Sequence, residues 1–433
     1  MKKIILFLLF SYFFVSNLHA QWITQNSGTI LTLFSVSAVD NDIVWACASG
    51  SNIFRTTDGG ATWVNIGNNI PPPLGVETTI FAVDANTALF ACYAGNPTIT
   101  YVYKTTDAGA SWNLFFTQLN GFMTGIWMQT PQQGFMVGWP TGGRWSLWKT
   151  TSGGLHWDST GLYVPENNSS IWSYENSLVY VGTNIWFGAR GKGIWHSTND
   201  GSSWTLQDLT SGGFPYPSAI WFTDLNTGLS SANLNIVKTI NGGTNWVAVG
   251  GQTGPEVVRG ITGLGNEWWY VRDLDANIYY TSNGGTNWSI QFTSPSAVGF
   301  KHITKARNGN CLWAVNISGN IYKYIIPTGI KQISSEIPSS FKLYQNYPNP
   351  FNPETKIKFS IPDFPLAKGV RGMGVLLSVY DILGHEIITL VNEQLKPGTY
   401  EVQWDASRSA SGVYFYRIEA DNFIDSKKML VIK

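Results

Sequence analysis

The chain has 433 residues with 27 basic and 27 acidic side chains, so its formal charge is zero; 12% of it is charged and 14% aromatic. Sparse, balanced charge excludes a nucleic-acid binder built on a basic stripe and a disordered polyelectrolyte. Twenty tryptophans and 45 glycines point instead to many short strands packed face to face and joined by tight turns.

Residues 1–20 open with Lys2-Lys3, continue as an apolar run from Ile4 toward Val15, and end Asn17-Leu18-His19-Ala20. That layout is a secretory signal peptide cut between Ala20 and Gln21. The run is too short to span a membrane, and no later stretch is apolar enough for a transmembrane helix.

From residue 56 one eight-residue phrase recurs six times, as Thr/Ser-x-Asp/Asn-x-Gly-x-x-Trp: 56–63, 105–112, 150–157, 197–204, 239–246 and 281–288. The closing residues are Trp63, Trp112, Trp157, Trp204, Trp246 and Trp288, at spacings of 49, 45, 47, 42 and 42. A period of this size with one tight turn per unit predicts a β-propeller, one four-stranded blade per repeat. The third position (Asp58, Asp107, Asn199, Asn241, Asn283) offers an oxygen to the N–H groups of its own turn. The Gly at the fifth tolerates φ > 0, and the Trp starts the outer strand with a large area to bury. Ser152 replaces the acid or amide in the third phrase, which predicts a weaker turn there. Only Asp58 and Asp107 keep a carboxylate, too few for a calcium loop, so the phrase is read as structural and neither a metal nor a cofactor is expected. The phrase resembles the Asp-box, or BNR repeat, of sialidases and related propellers, and the propeller of photosystem II stability factors. The first likeness implies a possible glycosidase, the second a protein-binding module.

Six phrases leave one blade incomplete. The segment 298–326 carries Tyr322-Lys323, like Tyr103-Lys104 before the second phrase, but no Gly-x-x-Trp follows. Gln21-Trp22-Ile23-Thr24 looks like the strand after each phrase, and Trp22 lies 41 residues before Trp63. The N-terminal strand therefore completes the last blade, giving seven over residues 21–326. Inner strands are read at Val36-Ser37, Ile80-Phe81, Ile126-Trp127, Ile171-Trp172, Ile220-Trp221, Ile261-Thr262 and Ile303-Thr304. Asp40, Asp84, Glu175 and Asp224 are assigned to one recurring turn. Phe81, Trp127, Trp172 and Trp221 share one position, read as packing between blades ahead of sugar stacking. Cys47, Cys92 and Cys311 are read as free core thiols.

The phrases mark one face of the ring. Ligands are expected on the other, where loops are long and unlike one another. Its candidate ligand-binding groups are Arg144, Arg190, Arg272, Glu77, Glu166, Glu256 and Tyr216. The three arginines are expected to meet at the channel mouth as a basic patch within a propeller that carries 13 basic and 16 acidic residues, suited to a carboxylate. A sialidase needs such an Arg cluster, a Tyr–Glu nucleophile pair and an acidic proton donor. No residue aligns with that set, so no catalytic residue is assigned.

Residues 327–340 read as a linker. Beyond them, alternating strands separated by Gly, Pro and Asn turns predict six or seven strands in a small Ig-like β-sandwich. Tyr344-Gln345-Asn346-Tyr347-Pro348-Asn349-Pro350-Phe351-Asn352-Pro353, Val379-Tyr380-Asp381, Gly384, Pro397-Gly398, Trp404-Asp405, Ser411-Gly412-Val413-Tyr414 and the closing Lys428–Lys433 resemble the type A C-terminal sorting domain of type IX secretion cargo. Residues 365–374 look like an insertion. The expected protein is all-β, a seven-bladed propeller followed by an Ig-like sandwich over 341–433. The resemblance implies passage through the type IX machinery to the cell surface or medium. A monomeric, non-catalytic binder of protein or glycan is the leading reading, with a sialidase-like glycoside hydrolase as the alternative.

Overall fold

The computed structural model describes residues 22–166, 172–209, 216–233, 235–252, 257–326, 330–363, 373–406 and 409–432. Residues 1–21, with the expected cleavage pair Ala20 and Gln21, the residue Glu256 and most of the expected insertion lie outside them. The fold is all-β and holds nine sheets. Seven are blades in chain order, and two form the C-terminal sandwich.

Each blade steps outward from buried to exposed. In blade 1, Leu33–Ala38 lines the axis and Val44–Ala48 is buried throughout, whereas Val64–Asn65 at the rim is exposed. Second strands such as Val44–Ala48 and Cys311–Asn316 are buried at every position. Both faces of such a strand meet a neighbouring blade, so its sequence is a continuous apolar run rather than an alternation. Cys47, Cys92 and Cys311 sit in second strands, buried and outside any disulfide. The apolar residues of the propeller fall into seven clusters, each shared by two adjacent blades; Trp45 and Cys47 of blade 1, for example, pack with Phe90 and Trp112 of blade 2.

The boxed turns supply much of that interface. In the first, Thr56 Oγ1 donates to Asp58 Oδ1 (2.7 Å) and accepts from Gly60 N (3.0 Å), while Asp58 Oδ1 accepts from Thr62 N (2.9 Å). The same bonds recur with Asp107, Asn199, Asn241 and Asn283. The weaker third turn is corrected in part: Ser152 Oγ accepts from His156 N at 2.9 Å, as a carboxylate would, and only the Thr150–Ser152 hydroxyl pair is longer, at 3.3 Å. Gly109 has φ +87°, and a Cβ there would sit 2.3 Å from Ile66 of the preceding blade. This glycine is thus required twice, for its dihedral and for close approach.

A second device escaped the sequence reading. A basic residue precedes most boxes and reaches the next blade. Lys323 Nζ donates to Asn41 O and Gly59 O (3.1 and 3.0 Å), Lys238 Nζ to Gly284 O (3.1 Å) and Arg55 Nε to Ala85 O (2.9 Å). The cations satisfy turn carbonyls that the strand ladders leave unpaired. Between blades 4 and 5, Trp186 Nε1 and Gln207 Nε2 donate to Gly242 O instead (3.1 and 2.8 Å). His196, stacked on Trp186 at 4.5 Å, precedes the box at 197–204, and burial pushes its imidazole down to about 4.

The ring closes as expected. Ile23–Gln25 pairs antiparallel with Ile321–Ile325 as the outer strand of blade 7. Trp22, 4% exposed, packs with Trp269, Tyr322 and Tyr324, and its Nε1 donates to Gln291 Oε1 at 2.9 Å.

Two expectations fail. The inner strand of blade 4 is Leu178–Val181, joined to Asn184–Ala189 by the short turn at Gly182-Thr183. Asp40, Asp84 and Asp224 each hold the recurring turn by accepting two backbone N–H bonds. Blade 4 has no such turn, so Trp172 and Glu175 lie in the connection before its inner strand. Blade 3 has three strands, and its outer edge is met only by bridges at Lys149–Asp158 and Arg144–Pro165.

In the sandwich, the order Lys331–Ser334, Gly398–Asp405, Glu354–Ile361, Lys342–Leu343 faces Glu386–Leu395, Met373–Tyr380, Gly412–Ala420, Phe423–Val431. Part of the predicted linker is therefore an edge strand, paired Gln332 to Tyr400. The proline-rich signature fastens the last strand. Asn349 Oδ1 accepts from Leu430 N (2.9 Å), Phe351 N donates to Leu430 O (3.1 Å), and Phe351 packs on Trp404 at 5.5 Å.

Two outcomes test this account. Trp22→Ala lowers stability by about 3–5 kcal/mol in chemical denaturation, the usual cost of truncating a core aromatic; a loss no larger than that of a surface substitution places the N-terminal strand outside the ring. The box hydrogen bonds hold Asp58 and Asp107 at about 2, below the ~3.9 of an unfolded Asp. Their contribution is therefore complete above pH ~4 and is lost as pH falls toward 2. Asp58→Asn with Asp107→Asn copies the other boxes, leaving the neutral-pH melting temperature nearly unchanged and flattening the acid limb of a stability–pH curve.

Candidate ligand-binding face

The axial channel is stopped. Inner strands of all seven blades line it, with Ile80, Phe81, Trp127, Trp221, Ile261 and His302 among the lining groups, and the residual void is about 50 Å³. Phe81–Trp127 and Trp127–Trp221 ring centroids lie 5.7 and 5.9 Å apart, so these aromatics pack on one another. Arg307 enters from the box side. Its guanidinium lies 4.4 Å from the Phe81 ring and donates to Ser37 Oγ and Ala82 O; burial pulls it down to about 10. His302 is enclosed, accepts from Val36 N at 3.2 Å, and is pushed down to about 4, so it is neutral at pH 7.

The opposite mouth is spanned by one connection, Trp172-Ser173-Tyr174-Glu175-Asn176. Asn176 Oδ1 accepts from Ser35 of blade 1 (2.8 Å) and Thr79 of blade 2 (3.0 Å). Ser173 O accepts from Trp139 of blade 3 (2.9 Å), and Glu175 pairs with Arg259 of blade 6 (3.0 Å). Five residues from the blade 3–4 connection thus touch four other blades. Asn176 manages this with φ +62°, a conformation Asn tolerates better than most residues.

Two patches flank the plug. Across blades 2 to 5 runs an aromatic ridge: Tyr93–Phe122 at 4.5 Å, Phe122–Trp139 at 4.3 Å, Trp139–Trp172 at 6.1 Å, then Arg190 over Trp172 at 3.9 Å and over Tyr216 at 4.9 Å. Trp139 and Tyr216 are 37% and 39% exposed. On blades 6 and 7 lies a charged knot: Arg259 holds Asp273 (2.6 Å) and Glu175, Lys301 holds Asp273 (3.1 Å), and Tyr174 lies 5.7 Å from Arg259. Burial alone would raise Asp273, but Arg259 and Lys301 outweigh it and hold the carboxyl below its ordinary value. That is the reverse of a proton donor, which a glycosidase needs raised.

The three arginines chosen from sequence do not meet at the mouth, and none lines the channel. Arg144 donates to Ser159 Oγ at 3.2 Å. Arg272 pairs with Asp275 and Tyr279 and lies beside Gly250, Gly251 and Trp288 at the outer strands of blades 5 and 6. Only Arg190, with Tyr216, belongs to the ridge. Glu166 lies in the blade 3–4 connection, its N–H bonded to Gly143 O (2.8 Å). Glu77 pairs across from Cys92 on an inner strand, and its side chain lies outside the described residues. Arg259, Asp273, Lys301, Trp139 and Trp172 were not chosen as site residues. The available signal was position: Arg259, Asp273, Lys301 and Trp139 lie at or near strand ends on the loop face, and Trp172 lies in a connection there. Among the described residues no three of His, Cys, Asp and Glu form a metal-binding group, and no helix is long and apolar enough to cross a membrane.

Residues 345–433 match the profile of the secretion system C-terminal sorting domain. No curated protein matches the chain in sequence. Among solved structures, YCF48 bound to a D1 peptide is similar at TM-score 0.54 and 16% identity, over 71% of this chain and 97% of that one. YCF48 from Cyanidioschyzon merolae gives 0.52 and 17%, over 71% and 99%. A chain of the mitotic checkpoint complex gives 0.51 and 11%, over 71% and 91%. At such identities the likeness establishes the fold. The chain is a β-propeller fused to a type IX secretion sorting domain, and its destination is the cell surface or the extracellular medium.

Proposed function

We propose that this chain is a non-catalytic recognition module. A signal peptide over 1–20 takes it to the periplasm, the C-terminal domain hands it to the type IX machinery, and as a monomer it binds a protein or glycan through the face opposite the boxes. The observation that carries this is the half-exposed ridge from Tyr93 to Tyr216 beside a stopped channel. Exposed aromatic area joined to a fixed cation is what recognition surfaces use. A similar propeller solved with a bound peptide lends support to binding as a use of this architecture. The hydrolase reading has one observation in its favour, the approach of Glu175 and Asp273 on Arg259. Both carboxylates are held by that cation, and Asp273 is shifted the wrong way for acid catalysis.

Two experiments follow. Deleting 341–433 leaves the propeller in the periplasm of the producing cell in fractionation; normal appearance in the medium removes the export reading. Trp139→Ala and Tyr216→Ala each lower binding to isolated cell envelopes or matrix by about tenfold, the usual weight of an aromatic contact residue. Ile240→Ala on the box face leaves it unchanged. Equal loss from all three, or from none, defeats the assignment of the face.

A further inference from the structure

Resting on the reading that the loop face binds a ligand, we propose that Arg190 is the anchor for the carboxylate of an acidic polysaccharide. Its guanidinium is held between two rings, 3.9 Å from Trp172 and 4.9 Å from Tyr216. Contact with two rings restricts the guanidinium and leaves its N–H groups as the working part. Among the described residues, no carboxylate, carbonyl or hydroxyl takes that edge. Other loop-face arginines are already engaged: Arg144 by Ser159, Arg259 by Glu175 and Asp273, Arg272 by Asp275. Residues 167–171 and 210–215 contain no Asp or Glu. Lys192, two residues on in the same turn, adds a second cation with no ion-pair partner among the described residues. A planar, oriented, unpaired guanidinium is matched by a bidentate oxyanion.

The surroundings favour sugar over peptide. Trp139 and Tyr216 stand on either side of the anchor with more than a third of their surface open. The half-buried ring of Trp172 joins them. The patch is a shallow row of rings along blades 3 to 5. Such rings stack on the apolar faces of pyranoses, and a uronate in the same chain supplies the carboxylate. A peptide would draw affinity from backbone pairing at a free strand edge. At Arg190 the adjacent strands Asn184–Ala189 and Gly193–Ser197 are already paired with each other and with their blade neighbours.

The test is binding of the full mature chain to polygalacturonate at low and high salt. Controls are the fully methyl-esterified polymer, which keeps the rings without the charge, and poly-L-glutamate, which keeps the charge without the rings. Polygalacturonate is expected to bind, to weaken with salt, and to exceed both controls. Arg190→Gln is expected to weaken it by about 10- to 100-fold, the range of a charge-assisted bidentate contact. Arg190→Lys, which keeps the charge but cannot lie flat between rings, falls with it, while circular dichroism and melting temperature stay near those of the parent. Undiminished binding by either variant, equal binding of the esterified polymer, or no saturable binding of polygalacturonate overturns the proposal. Tighter binding of poly-L-glutamate overturns it in favour of an acidic protein segment. If Trp139→Ala and Tyr216→Ala abolish binding while Arg190→Gln does not, the face stands and the anchor falls. If none of them matters, the face falls too.

Discussion

Everything in the propeller depends on the fact that no blade has a core of its own. Its apolar side chains meet those of the next blade, so each cluster belongs to two repeats. Trp63 packs on Trp313 of blade 7 at 5.9 Å, and Trp112 on Trp45 of blade 1 at 6.3 Å. An open row of such units would expose one aromatic face at each end. Closing the ring removes both ends, and the first strand of the chain completes the last sheet for that reason. Trp22 is then a neighbour of Trp269 rather than an N-terminal residue near solvent.

The same constraint separates the two faces. On the box side, turns are fixed by side-chain-to-backbone bonds, by glycines pressed against the previous blade and by cations bound to turn carbonyls. Little there is free to vary. On the other side the connections have only to join blades, and they differ in length and composition. One of them, at 172–176, folds inward over the channel and is pinned by four other blades. Its outer residue, Trp172, continues the aromatic ridge, while its inner residue, Asn176, stops the pore. The exposed aromatic groups therefore lie on the surface around the plug rather than inside the channel. The charged knot at Arg259 is internally neutralised, whereas Arg190 is flanked by rings.

The sandwich follows the same logic on a smaller scale. Its two sheets share one apolar cluster from Leu343 to Val431. The Tyr-Pro-Asn-Pro-Phe-Asn-Pro segment acts as a clasp, with Asn346 buried and Nδ2 bonded to Pro348 O and Thr355 Oγ1 at 3.1 and 2.9 Å. The conspicuous signature in the sequence is thus also what holds the final strand in register.

The sequence alone determined the repeat, the boxed turns, the closure by Trp22, the buried cysteines and the sorting domain. Each is written in local chemistry: a turn that needs a short oxygen side chain and a glycine within a few residues, or a strand whose aromatic recurs at a fixed period. The inner strand of blade 4 was misplaced because Ile171-Trp172 imitates that period while the strand itself ends in a short turn that leaves no Asp signal. The start of the sandwich was misread as linker because an edge strand of four residues, Lys331–Ser334, carries too little pattern to announce itself. Only the tertiary structure decided which of the loop charges are paired. Nothing in the spacing of Arg144, Arg190, Arg259 and Arg272 tells which of them finds a carboxylate. That depends on residues 84 positions away, as for Glu175 and Arg259, brought together by ring geometry. Charge is local to the sequence, but whether a charge is satisfied is a property of the packed molecule.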